Sequence, residues 1–197
     1  RNEGADSSHS PEFAMLEAYE AYTDYNGIAD LTKELIQNAA SDVFGTTLVT
    51  LEDGSEYDVG GDWAKVPMYE SLSEELGEEI TPETKMSALK KIADKQDIEV
   101  AHPLHGKYIE ELWEHFYKSK HPEPFFVTDF PVDTSPLTRD HRTKPGVVEK
   151  WDLYIPGYEQ VTGYSELVDP VIQRARFVDQ SALAAGGDPE AMRDAAD

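Results

Sequence analysis

The chain switches hydrophobic period several times, and the order of the switches restricts its fold. Ile28, Leu31, Leu35, Ile36, Ala39 and Val43 recur at helical spacing, and Gly45 follows as a stop. TTLVTL, then Asp53-Gly54, then SEYDV predicts a β-hairpin with a primed turn. Thr81-Pro82 reads as a cap and first position of a helix running to about residue 95. Tyr108, Ile109, Leu112 and Phe116 form the apolar stripe of another helix over 105–118. PFFVTDF (124–130) and VVEKWDLYI (147–155) are strand candidates, and Asp169-Pro170 opens a last helix to about residue 185. Strands and helices mix without a strict βαβ alternation, which predicts an α+β fold with a mostly antiparallel sheet flanked by helices.

Charge narrows the function. Seventeen Lys plus Arg against forty Asp plus Glu leave −23 on 197 residues. This stretch therefore lacks the clustered cations of a phosphate-tracking surface, and it repels anionic membranes. No run reaches the roughly 18 apolar residues of a spanning helix. With 39% hydrophobic and 10% aromatic residues, the chain has enough apolar material for a core. Its length suits one domain or a large part of a bigger one. Cysteine is absent, which excludes a disulfide framework and thiolate metal sites and suits a cytoplasmic setting. The chain opens at Arg1 without Met or a signal pattern and ends in DPEAMRDAAD, a helix cut short, so we expect a piece of a longer polypeptide.

Two stretches bear chemistry. Arg1, Asn2 and Glu3 precede a polar loop, GADSSHSP, that contains His9, and Phe13 follows it. A guanidinium and an imidazole at a loop beside an aromatic ring suit phosphates and a stacked base, although a solvated hairpin end fits the same spacing. In 13–25 helix propensity competes with strand alternation; propensity alone favours helix, and in a strand Glu17 and Tyr19 share a face. The second stretch, GYEQVTGYSEL (157–167), sets Glu159 and Glu166 among glycines, and carboxylates are the natural ligands of Mg²⁺. These two are seven residues apart, so a regular strand would point them to opposite faces; a bulge or turn, expected at Gly163, must reunite them. His102, His105, His115, His121 and His141 show no zinc spacing, and the chain has neither a Gly-rich phosphate loop nor a nucleophile elbow.

RNEG, the loop and HSPEFAMLEAYEAYTDYN together resemble motif 2 of class II aminoacyl-tRNA synthetases, in the form found in lysyl-tRNA synthetases. VTDFPVDTSPL (127–137) and WDLYIPGYEQVTGYSELVDPVIQRARF (151–177) resemble later segments of the same catalytic domain, and the resemblance is thin over about 46–121. It implies an incomplete class II catalytic domain over 1–197, with a motif 2 hairpin and helix in 1–45, a hairpin and helical insertion in 46–121, and late sheet strands in 122–197. The segment over 13–25 would then be a central antiparallel strand.

The resemblance also implies roles. Arg1 would hold the α-phosphate of ATP and the amino-acid carboxylate, Glu3 the adenine amino group, His9 the outer phosphates, and Phe13 would stack on adenine. Glu17 and Tyr19 would receive the lysine ammonium, with Glu166 nearby, and Thr162 stands where an Asn usually contacts the lysine carboxylate. Glu159 and Glu166 would bind Mg²⁺. Lysine, ATP and tRNA(Lys) are the implied partners, the last through parts outside this chain, together with a homodimer for the parent and no membrane. The implied reaction is lysine activation and transfer to tRNA, the 197 residues alone being inactive. A paralogue that lysylates protein or lipid, and a silent synthetase-like binding module, are the other readings. Tyr158 in place of a usual Arg, Thr162, and Ser10 in place of a frequent Asn depart from the family pattern.

Overall fold

The computed structural model describes residues 12–51, 54–155 and 159–187, with the side chains of 159 and 160 left out. The first helix, α1 (Tyr25–Phe44), begins where Asp24 accepts the amides of Asn26 and Gly27, and ends at Gly45 in the left-handed region. Strands β1 (Leu48–Thr50) and β2 (Glu56–Asp58) pair antiparallel. Leu51 donates to Ser55, and Gly54, at φ 84°, donates to Leu51. This is a longer, glycine-closed loop; in the expected two-residue primed turn, Asp53-Gly54 would have put 52 opposite 55.

The main sheet has the order β3-β4-β5-β6, comprising β3 (Ala64–Pro67), β4 (Phe125–Thr128), β5 (Lys150–Tyr154) and β6 (Glu159–Tyr164). The last three run antiparallel, as expected, whereas β3 pairs parallel to β4. Parallel pairing requires a long crossover, here made by α2 (Met68–Leu76), α3 (Met86–Lys95) and α4 (His105–Phe116). Neither β3 nor α2 stands out in the sequence, because a four-residue strand ending in Pro runs straight into a nine-residue acidic helix. Pro67 is tolerated because β3 lies at the sheet edge. Thr81 does not start α3. Its hydroxyl accepts the Glu83 amide and Thr84 closes a turn, so the helix begins at Met86.

Each face of the sheet has its own core. On one, Val66, Phe125, Val127 and Tyr154 pack against Leu72, Leu89, Ile109, Leu112 and Trp113 of α2–α4. On the other, Phe126, Trp151 and Leu153 pack against Trp63 and against Tyr25 and Ala29 of α1. β4 is buried at all four positions because it feeds both cores. The three tryptophan N–H groups donate to the Tyr25 carbonyl, the Val59 carbonyl and the Ser71 hydroxyl, so none of these rings buries an unpaired donor. The last helix, α5 (Pro170–Ala185), starts as expected, with the Asp169 carboxylate accepting the amides of Val171 and Ile172.

Candidate functional site

Strand β6 carries the candidate residues, and its register explains how. Thr162 pairs with Asp152, Gly163 with Trp151 and Tyr164 with Lys150, but Leu153 meets Val161 while Tyr154 meets Glu159. Position 160 is therefore the extra residue of a bulge. With that slip, the backbone at position 159 falls into the same alternation as 162 and 164. The bulge is not at Gly163. A Cβ there would lie 2.2 Å from Cζ2 of Trp151, so Gly163 admits the indole and lets β6 lie against β5. Helix α1 covers the Trp151 face; on the opposite face Thr162 and Tyr164 remain exposed.

The segment before α1 departs from expectation. Residues 13–24 form neither a strand nor a helix, and Tyr25 already belongs to α1. An alternating pattern stabilises a strand only through a paired neighbour and a covering layer. Among the described residues this segment has no ladder partner, and Phe13, Met15 and Leu16 are 60%, 67% and 78% exposed. Phe13 thus stands free, and Glu17 is exposed where the lysine reading calls for a buried carboxylate. The Glu17–Tyr19 pair does form: the Tyr19 hydroxyl donates to Glu17 at 3.1 Å.

This pair lies within electrostatic reach of the end of β6. The hydrogen bond and charge of Glu17 raise the Tyr19 phenol above its ordinary value, with smaller contributions from Tyr164 and Glu166. Burial raises the Tyr164 phenol, and the charges of Glu166 and Glu17 add to the shift. By that electrostatic link Glu17, Tyr19, Tyr164 and Glu166, from segments more than 140 residues apart in sequence, are candidates for one negative, aromatic surface. Such a surface attracts an ammonium group.

Asp152 is a further candidate, which the sequence reading did not single out. It lies opposite Thr162, is 3% exposed, and has one oxygen 2.9 Å from Lys150 Nζ while Oδ1 has no partner. A buried carboxylate with a free oxygen suits a cation. Its signal in the sequence was an acid inside an otherwise apolar strand, WDLYI. Behind it, Glu110 of α4 feels Lys150 and Asp152. Burial raises its carboxyl above the ordinary range, and the Thr134 hydroxyl, Lys107 and Lys150 only partly counter this.

Arg1, Glu3 and His9 lie outside the described residues, as does the side chain of Glu159. Among the described residues, no group of three or more His, Asp or Glu is arranged to hold a metal ion. His141 Nδ1 accepts the amides of Thr143 and Lys144, and its Nε2 lies 3.3 Å from the Tyr25 hydroxyl.

Comparison with known proteins gives the family. The family model "tRNA synthetases class II (D, K and N)" matches residues 1–194, and the chain belongs to this family. It is 63% identical over 195 residues to a lysine–tRNA ligase of Kineococcus radiotolerans and 55% identical over 199 residues to one of Mycobacterium tuberculosis; each match covers 98% of this chain and 39% of the relative. It is also 49% identical over 198 residues to the lysylphosphatidylglycerol biosynthesis bifunctional protein LysX of Mycobacterium avium, covering 98% of this chain and 17% of that protein. The chain thus spans about two fifths of the length of the lysine–tRNA ligases it matches.

Proposed function

We propose that the chain is part of the catalytic domain of a lysine–tRNA ligase, a cytoplasmic homodimer as a whole. The observation that carries this reading is the match of nearly the whole chain to the family model of class II D, K and N synthetases; the electrostatic link between Glu17–Tyr19 and Tyr164–Glu166 supports the choice of site. The identities to lysine–tRNA ligases support it. An exposed acidic pair becomes discriminating once a ligand and its cover exclude water, because an unmatched charge then costs several kcal/mol, on the order of 3–5.

In this reading the lysine ammonium lies against Glu17, Tyr19 and Glu166, with Thr162 toward its carboxylate. Glu3 and Phe13 hold adenine and His9 the outer phosphates. Arg1 neutralises the charge shared by the α-phosphate and the attacking carboxylate. A carboxylate oxygen of lysine bonds to the α-phosphorus, the bond to the bridging oxygen breaks, and pyrophosphate leaves with its electrons. Little proton movement is needed, so catalysis rests on alignment and charge stabilisation. Glu159 and Glu166, joined by Asp152, are the residues that would hold Mg²⁺, whose charge offsets that of the phosphates. A hydroxyl of tRNA(Lys), held by parts outside this chain, then bonds to the lysyl carbonyl carbon and gives up its proton, and AMP leaves.

Pyrophosphate exchange by the full-length protein tests the proposal. Lysine, alone among the twenty amino acids, should drive exchange of labelled pyrophosphate into ATP; exchange driven by another amino acid would refute it. The match to the LysX protein supports a second reading, activation of lysine for a lipid acceptor. Charging of tRNA(Lys) by the full-length protein separates the two.

A further inference from the structure

Helix α5 is held to the fold in an unusual way. Its described buried residues are Arg176 and Gln180, while Val171 and Val178 are 77% and 64% exposed. The helix thus seats a polar face, and its anchor is Arg176, 9% exposed. One guanidinium nitrogen donates to the carbonyls of Ser135 at 3.3 Å and Pro136 at 3.4 Å and also to that of Thr138; the other meets Asp140 at 2.5 Å. The segment these acceptors belong to is buried at Ser135 and Thr138, and its remaining bonds lead directly to the candidate site. Thr138 bridges Glu166. On either side of that bridge, the Arg139 amide donates to Ser165 and the Leu167 amide to Leu137. Ser165 is tied further, by its own amide to Glu149 and by its hydroxyl to the Tyr25 amide.

We infer that Arg176 is a positioning residue for amino-acid recognition. Gathering three carbonyls onto one planar cation fixes the curve of 135–140, and that curve forms the backbone rail on which Glu166 is mounted. Arginine suits this task, because its five donors lie in a rigid fork. Lysine has the charge but not the plane, so it cannot serve all four acceptors at once. Asp140 balances the buried charge from the solvent side. The inference depends on the proposed role of Glu166 in holding the substrate ammonium.

The test uses the full-length protein with Arg176→Lys and, as a milder change that leaves the fork in place, Asp140→Asn. For Arg176→Lys the lysine KM in pyrophosphate exchange at saturating Mg²⁺ should rise about tenfold, with ATP KM and kcat within about twofold and a reduced preference for lysine over ornithine. Asp140→Asn should shift the lysine KM the same way, by about threefold. A purely structural role would move both KM values and kcat together, and that result, or an unchanged lysine KM in the folded variants, overturns the inference. If Arg176→Lys does not fold, Asp140→Asn decides by the same criterion. Amide exchange in the same proteins keeps this test separate from the functional proposal. The Arg139 and Leu167 amides should exchange faster in the variants while those of Phe126 and Val127 do not, and equal rates at all four would overturn the clamp even if the wild-type protein activates no lysine.

Discussion

Gly163 shows how one residue can determine a neighbour's place. Its missing side chain leaves room for the Trp151 ring, whose indole N–H in turn reaches the Tyr25 carbonyl at 2.6 Å and joins α1 to the sheet. A methyl group here forces the indole or the strand to move. Gly163→Ala should lower stability by about 1–3 kcal/mol, as overpacking does, measurable as a lower urea midpoint with a changed tryptophan emission. Glu17 represents the opposite case, an exposed acid whose removal touches no core. Glu17→Gln should leave the melting temperature unchanged while raising the lysine KM of pyrophosphate exchange in the full-length protein at least about tenfold; a loss of stability equal to that of the glycine variant would assign Glu17 a structural role. The sequence made the Glu17–Tyr19 pair visible through its spacing. It hid Asp152, whose importance depends on facing Thr162 across a strand pair and on one oxygen left unmatched.

At the level of elements, local chemistry was the legible part. Asp24 and Gly45 bracket α1, and Asp169 with Pro170 opens α5, because caps are set by residues within a few positions of each other. Asp24→Ala should cost about 1 kcal/mol and fray the first turn of α1, seen as a lower thermal midpoint and reduced protection of the Asn26 and Gly27 amides. What depends on distant partners was not legible. The alternation in 13–25 predicts a strand, yet without a ladder neighbour among the described residues 13–24 form no regular element, and 13–22 are exposed. The bulge expected at Gly163 falls at position 160, since the mismatch is set by pairing with Leu153 and Tyr154 and not by the glycine. Thr81 resembles a helix cap in sequence but closes a separate turn, four positions too early for α3.

Across the whole molecule, acidity and burial meet at Glu110. Its carboxyl titrates higher when folded than in the unfolded chain, where a glutamate has a value of about 4.3. Between these two values the folded state holds the extra proton, so stability falls as pH rises through that interval and the loss is complete above the folded value. Glu110→Gln removes this penalty: the fall in melting temperature from mildly acid to neutral pH should become shallower, and an unchanged slope would show that the group is not strained by burial. The α+β class and the mostly antiparallel sheet follow from the order of periodic segments, whereas the parallel edge strand and its three-helix crossover depend on contacts between residues 64–67 and 125–128, which no local pattern reveals. The two faces of that sheet have separate duties: α1 seals one, and β6 leaves the other open where Tyr164 and Thr162 stand.

The central claim is that acids from the two ends of the chain receive one substrate ammonium. A double-mutant cycle on the full-length protein, measuring lysine KM for Glu17→Gln, Glu166→Gln and both together, tests it most directly. Shared recognition predicts a coupling of about 0.5–3 kcal/mol between the two sites, with ATP KM little changed in Glu17→Gln. Additive effects on lysine KM would place the two carboxylates in separate sites and contradict the account.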